Sequence, residues 1–332
     1  MTRRFYITGF LTFSALTIGA CSSQTTLRDP ATSVETRCPD QDPRDPYSDS
    51  VRFPEGTPNA GLCADTSIRR PLRDLLPEHK KTLGIGEITS TYSTDAFERA
   101  FANVYHDGQF WTARYRVGSV VAANFMIEHF APLSAHSMIR FQFDPRNPLR
   151  LIPQAKIPPA GENWYWNKRE EITLTDIVFS AEAVTVHGAG FNILRGFKDH
   201  FLIAKRFRSL PDVVHDQIEK QNHKVEQIRL ARTNKAARDY SPRGVANQLF
   251  ETAIANSKRD GISLVYNTLD ESCVTEAFDV LDDTFRSSYD RNSQAVSPFT
   301  GRLPPFMKRA LKARDFFGEE LPDLNEEVAS RR

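Results

Sequence analysis

Ala135-His136-Ser137-Met138-Ile139-Arg140-Phe141-Gln142-Phe143 is the stretch on which the fold turns. Ser137, Ile139, Phe141 and Phe143 alternate with His136, Met138, Arg140 and Gln142, the period of a strand with one face buried. Asp144-Pro145-Arg146-Asn147-Pro148 is a turn, so residues 149–157 can return as a second strand. Further β candidates lie at 173–179 and 183–187. Upstream, residues 111–130 are apolar and read as a strand followed by a helix. Residues 94–105 read as a helix, with Thr94 as cap and Phe97, Phe101 and Val104 at spacings of four and three. Downstream, 213–239 reads as a long polar helix with a stripe of Val214, Ile218, Val225, Ile228 and Leu230. Residues 242–257 read as another helix, with Leu249, Phe250 and Ile254 facing the core and Gly261 ending it. The expected class is α+β, with central antiparallel strands and flanking helices. No internal repeat is seen.

Composition narrows the function. The 332 residues carry 43 Lys+Arg against 42 Asp+Glu, a formal charge of +1, with no basic stripe. A nucleic-acid partner would need clustered cations to displace counterions, so none is expected. The chain is 40% hydrophobic with 23 Phe, enough to bury a core and too apolar for wholesale disorder. Four Cys are too few for a disulfide scaffold.

The N-terminus carries an address. Arg3 and Arg4 precede an apolar stretch over residues 5–20, shorter than the ~20 residues of a spanning helix, so it reads as a signal peptide. It ends in Ile18-Gly19-Ala20-Cys21, which resembles a bacterial lipobox; ordinary secretion is the competing reading. Cleavage before Cys21 removes two arginines and takes the formal charge from +1 to −1. Ser22 stands where an aspartate would retain a lipoprotein in the inner membrane, so an outer-membrane anchor facing the periplasm is expected. Lipidation of Cys21, with palmitate among its acyl chains, makes the membrane a partner, since each buried methylene adds ~0.8 kcal/mol. The expected organisation is a signal peptide over 1–20, a lipidated flexible tether over 21–70, an α+β periplasmic domain over 71–296 and a Pro- and aromatic-rich segment over 297–332. That last segment contains an amphipathic helix at 306–317, whose Lys308, Arg309, Lys312 and Arg314 read as a solvated face or a membrane contact.

Cys38 and Cys63 sit in an oxidising compartment and either pair or stay as unrelated thiols. A bridge would close a loop of about 25 residues and stabilise by roughly 3 kcal/mol. Cys273 is then left over. Thr268 and Glu271 have capping-box spacing and Asp270 is an alternative cap, so Cys273 falls in the first turn of a helix carrying Val274, Phe278 and Leu281. Unpaired amides and the macrodipole there favour a thiolate. Asp270, Glu271 and Glu276 oppose it, so a partner base is needed. A buried structural cysteine is the plain alternative.

Tyr266-Asn267-Thr268-Leu269, with Cys273 and Thr275 beyond it, resembles the signature of the Lnb N-terminal periplasmic domain family, which includes a lipoprotein acyltransferase and many members without an assigned function. Residues 135–143 are similar to the family's histidine strand, and the resemblance covers residues 111–285. It implies a papain-like or NlpC-like thiol site in permuted order, with His136 as base, Cys273 as nucleophile and Gln154 holding the imidazole tautomer. The backbone amide of Cys273 would serve as oxyanion donor. The implied chemistry is acyl or amide transfer or hydrolysis on a lipid, peptide or glycan of the envelope. Ser272, Val274 and Arg140 depart from the family pattern, and Leu151-Ile152-Pro153-Gln154 replaces its glutamate-containing strand. A lipid-anchored binding or scaffold protein without catalysis is the alternative.

No cofactor and no metal are expected. His215 and His223 are two helical turns apart, and His129 and His136 span a presumed turn. Gly84-Ile85-Gly86 and Gly188-Ala189-Gly190 read as turns rather than phosphate loops. Trp164-Tyr165-Trp166 reads as core packing or as a surface for an acyl chain or glycan. His187 and His200 read as structural.

Overall fold

The computed structural model describes residues 38–331 apart from 43–44, 49, 86–97, 132–133, 155–169, 191–197, 233–240, 261, 263–264, 267–272 and 286–303. The signal segment, Cys21 and Trp164-Tyr165-Trp166 therefore lie outside the described residues. In chain order the elements are β1 (Arg73–Asp74), α1 (Pro77–Thr82), β2 (Glu98–His106), β3 (Gln109–Arg116), β4 (Val120–Ala131), β5 (Ser134–Phe143) and β6 (Leu149–Pro153). There follow β7 (Ile172–Leu174), β8 (Asp176–Val184), β9 (Phe201–Ser209), α2 (Leu210–Val213) with a π-helical extension (Val214–Lys220), and β10 (Lys224–Leu230). The chain closes with α3 (Pro242–Asp260), β11 (Val265–Tyr266), α4 (Cys273–Thr284), α5 (Pro304–Ala313), β12 (Phe317–Leu321) and α6 (Leu324–Arg331).

The strands form one mixed sheet in the order β12-β10-β4-β5-β8-β9-β2-β3-β6-β7, with β1 beside β2 and β11 beside β9. Its ladders are antiparallel except β2 with β9. The expected strand over 136–143 is all but the first two residues of β5, which pairs β4 on one side and β8 on the other. Ile139, Phe141 and Phe143 point with Phe125, Phe179 and Phe207 into the main core, closed by α3, α4 and α5. Met126, Met138, Val178 and Val225 face the other way and are covered by α2 and α6.

Several helices expected from spacing are strands. Residues 98–106 form β2, because an extra residue between Phe101 and Val104 opposes a shorter step between Ala113 and Trp111. That bulge stretches a two-residue alternation to three, which imitates a helical period. Asn103 occupies it at φ 72°. Residues 120–131 are a strand buried on both faces, so their apolar run has no alternation to read. The long helix over 213–239 is cut at Asn222, which adopts φ 54° and ends the turn; β10 follows inside the sheet.

The expected tether is corrected from Cys38 onward. Cys38 and Cys63 are joined by a disulfide with Cα atoms 5.5 Å apart. Phe53 and Ala64 are buried against Val184 and Leu202, and Ala64 bridges Val186. Residues 37–332 form one unit, α5 and α6 included.

Arg140 is buried and ties α6 to the sheet: it reaches Asp176 at 2.7 Å and both oxygens of Glu327 at 2.7 and 2.9 Å. Arg140 and Gln227 hold the Glu327 carboxyl down at about 2 against the opposing effect of burial. Its folded value lies below its unfolded one, so this stabilisation is present above about pH 4.5 and is lost as pH falls towards 2. Glu327→Gln is expected to lower stability at pH 7 by about 1.5 kcal/mol, the worth of a charge-assisted hydrogen bond, and to flatten the acid limb of stability below pH 4.5. Denaturant titrations at pH 7 and pH 3 check both.

Candidate functional site

The first residue of α4 sits against the start of β5. Val274, Ala277, Phe278 and Leu281 bury one face of α4 in the main core, and the Phe278 ring packs tilted against Phe125 of β4 with centroids 5.2 Å apart. This packing sets the height of the helix, and two neighbours on β5 hold its first residue. Ser137 Oγ donates to the Cys273 carbonyl at 2.9 Å, while the His136 imidazole is hydrogen-bonded to the Cys273 thiol. Adjacent strand residues point to opposite faces, so the pair clamps Cys273 from both sides of the strand end.

The electrostatics favour an ion pair. Burial alone would raise the Cys273 thiol, but the charge and hydrogen bond of His136, with a backbone contact at Ser137, bring it below the ordinary thiol value. Burial alone would likewise lower His136; Cys273, Glu128 and Glu182 overcome it and raise the imidazole to about 9. Glu128 lies directly across from His136 on β4 and is itself held by His223 Nδ1 at 2.6 Å. Glu276, which the sequence sets against a thiolate, is buried and paired with Lys205 at 2.5 Å, so its charge is compensated.

Behind the imidazole stands a second chain of polar groups. His136 Nε2 lies 2.9 Å from Ser180 Oγ, and Ser180 Oγ donates to Glu182 Oε1 at 3.3 Å. Both are on β8 and point to the same side as His136. Glu182 is gripped by Arg206 at 2.8 Å and Arg69 at 3.2 Å, with Arg208 at 3.8 Å. Burial opposes its ionisation, and the arginines with His136 outweigh burial and keep the carboxyl far below its usual range.

Gln154 is elsewhere. Its Oε1 accepts from the Asn103 amide at 2.8 Å, and its Nε2 donates to Asn103 Oδ1 and Asp45. It pins the β2 bulge to the N-terminal segment, and its polar atoms are spent there rather than on His136. Ser180 and Glu182 were missed by sequence reasoning. Their signal is two polar residues two apart in a strand that, after its first residue Asp176, is otherwise apolar: Ile177, Val178, Phe179, Ala181, Ala183 and Val184.

The remaining candidates are absorbed by local pairs. His129 Nε2 is 3.2 Å from Glu226, and His215 pairs with Glu219. Lys308 is held by Glu226 and Glu320. Arg314 binds Asp282 through two nitrogens and covers the Phe278 ring, so the basic face of α5 is partly turned to its own fold.

The Lnb N-terminal periplasmic domain family matches residues 107–311, from the end of β2 to α5. The chain belongs to this family. That membership makes it a protein of the bacterial envelope, and both Cys273 and His136 lie within the matched span. No curated protein and no solved structure matches the chain. Among the described residues no helix is long and apolar enough to cross a membrane.

Proposed function

We propose that the chain is an envelope lipoprotein, anchored in the outer membrane through lipidated Cys21, whose periplasmic domain transfers or hydrolyses acyl or amide groups through Cys273 and His136. The observation that carries this reading is the half-buried thiol–imidazole pair at a helix N-terminus, with the thiol lowered and the imidazole raised. The order of base before nucleophile fits a permuted papain-like or NlpC-like site.

In the proposed cycle the Cys273 thiolate attacks a carbonyl carbon, and the carbonyl electron pair moves onto oxygen. The backbone N–H of Cys273 is the natural donor to that oxyanion. The tetrahedral adduct collapses to a thioester, and the imidazolium gives its proton to the departing amine or alcohol. The neutral imidazole then takes a proton from the acceptor, water or a second nucleophile, which attacks the thioester and releases the thiolate. Nε2–H donating to Ser180, and Ser180 to Glu182, would fix the ring and stabilise its charged form, as the third member of a triad does. Ser180 and Glu182 thus act as positioning residues, in the place where Gln154 was expected. The substrate is an acylated lipid, peptide or glycan of the envelope.

Alkylation with a small electrophile at pH 7 tests the reading. An ordinary thiol near pKa 8.5 is only a few per cent thiolate there, so His136→Ala is expected to slow labelling of Cys273 by about tenfold. Equal, slow labelling of both proteins would favour the alternative, a lipid-anchored binding or scaffold protein. Glu182→Gln removes a carboxylate that helps hold the imidazolium and leaves the three arginines around it without their counter-charge. The His136 titration, followed by NMR, is therefore expected to move down from about 9. An unmoved midpoint would remove Glu182 from the site.

A further inference from the structure

We infer that Asp40, Asp65 and His187 form a zinc-type divalent cation site, remote from the thiol pair and assembled by the disulfide. One ligand atom from each of the three side chains lies within 4.8 Å of the other two. His187 Nδ1 is already 3.2 Å from Asp40 Oδ2. Two ligands of a tetrahedral ion with bonds near 2.0 Å stand about 3.3 Å apart, so this edge needs almost no adjustment.

The three residues come from distant segments, and each is held by backbone structure that does not depend on a metal. Ala64 pairs with Val186, with Asp65 N donating to the Thr185 carbonyl at 2.8 Å and His187 N to the Cys63 carbonyl at 3.0 Å. That short ladder fixes Asp65 beside His187. The Cys38–Cys63 bridge then brings Asp40, two residues beyond Cys38, onto the same spot. Thr66 N donates to Asp40 Oδ2 at 2.9 Å, and Ser67 Oγ to Asp65 Oδ1 at 2.5 Å, the kind of outer contact that orients a ligating carboxylate.

Charge is the second reason. Two carboxylates converge here, and the Asp40 side chain is only 9% exposed. Among the described residues neither forms an ion pair with a lysine or arginine. Arg70 touches the Asp40 carbonyl but directs its charge at Asp45. A bound cation would balance this negative charge. His187, 42% exposed, leaves the outward side open for water in the remaining coordination positions. An imidazole with two carboxylates suits zinc, whereas calcium takes six to eight oxygens. No spacing motif announces the site because its ligands are spread from residue 40 to residue 187.

The test uses the full chain with its disulfide intact, stripped of metal and titrated with Zn²⁺ against a chromogenic chelator. Wild type is expected to take up one zinc per chain and to melt at a higher temperature with zinc than without. His187→Ala, at an exposed position, and the isosteric Asp65→Asn should each weaken uptake by more than the roughly ten- to hundredfold that loss of an outer contact costs. Both should also lose the zinc-dependent rise in melting temperature. His215→Ala, at an exposed histidine on the π-helical segment, should bind as wild type does. No zinc uptake by wild type, or uptake by the His187 and Asp65 variants as tight as wild type, would overturn the assignment.

Discussion

Lys205→Met is expected to lower stability by about 3–5 kcal/mol and to erase the reactivity advantage of Cys273. Lys205 on β9 and Glu276 in the first turn of α4 have side chains 4% and 1% exposed, with Nζ 2.5 Å from the carboxylate. Neither ion can regain water when the other is removed, so the single variant leaves an uncompensated charge in the core. Glu276 must then take up a proton or drag the first turn of α4 towards solvent, and Cys273 begins that turn. For a domain of this size the loss corresponds to a fall in melting temperature of roughly 10 °C. Replacing both partners, as Lys205→Met with Glu276→Leu, should recover much of the stability, because a well-packed apolar pair is often as good as a buried ion pair. Thermal melts of the two singles and the double, with alkylation rates measured beside them, decide the matter. A neutral Lys205→Met would mean that the pair does not hold the helix.

What the sequence makes legible here depends on whether a residue's neighbours are near in the chain. The β5 alternation, the turn at 144–148, α3 and the helix opening at Cys273 are local patterns, and all are present in the structure. Cys273 stands out locally as a cysteine at a helix start, whereas His136 joins it through the resemblance of residues 135–143 to the family's histidine strand. Ser180 and Glu182 carry almost no local signal: their meaning comes from the β5–β8 register, which sets Met138 opposite Ser180 and brings His136 to the same side. Gln154 shows the converse. It was assigned by its place one strand after the histidine, but β6 leaves β5 to pair with β3, and the side chain meets the Asn103 bulge. The same bulge made β2 look helical. Strands buried on both faces, such as β4, lose the alternation that would identify them, and a sheet this wide has several.

That width also concentrates the core on one side chain, and Phe250→Ala is expected to cost about 3–5 kcal/mol. Phe250 projects from α3, 1% exposed, into a ring of five aromatics drawn from four strands. Its centroid lies 5.1 Å from Phe141, 5.2 Å from Tyr115, 5.3 Å from Phe143, 5.9 Å from Phe207 and 6.4 Å from Phe101. Four of these contacts are edge-on, the geometry in which the positive rim of one ring meets the face of the next. The partners are anchored in β2, β3, β5 and β9, so the sheet backbone prevents them from closing over the void. A cavity that cannot collapse places the cost in the upper part of the range. The loss should appear as a lower denaturation midpoint with an unchanged slope, since the surface exposed on unfolding is the same. Cys273 is on α4 rather than α3, so its alkylation at temperatures well below the melt should keep its wild-type rate. A Phe250→Ala protein as stable as wild type would mean that α3 repacks freely, and that the aromatic cluster is not what fixes it to the sheet.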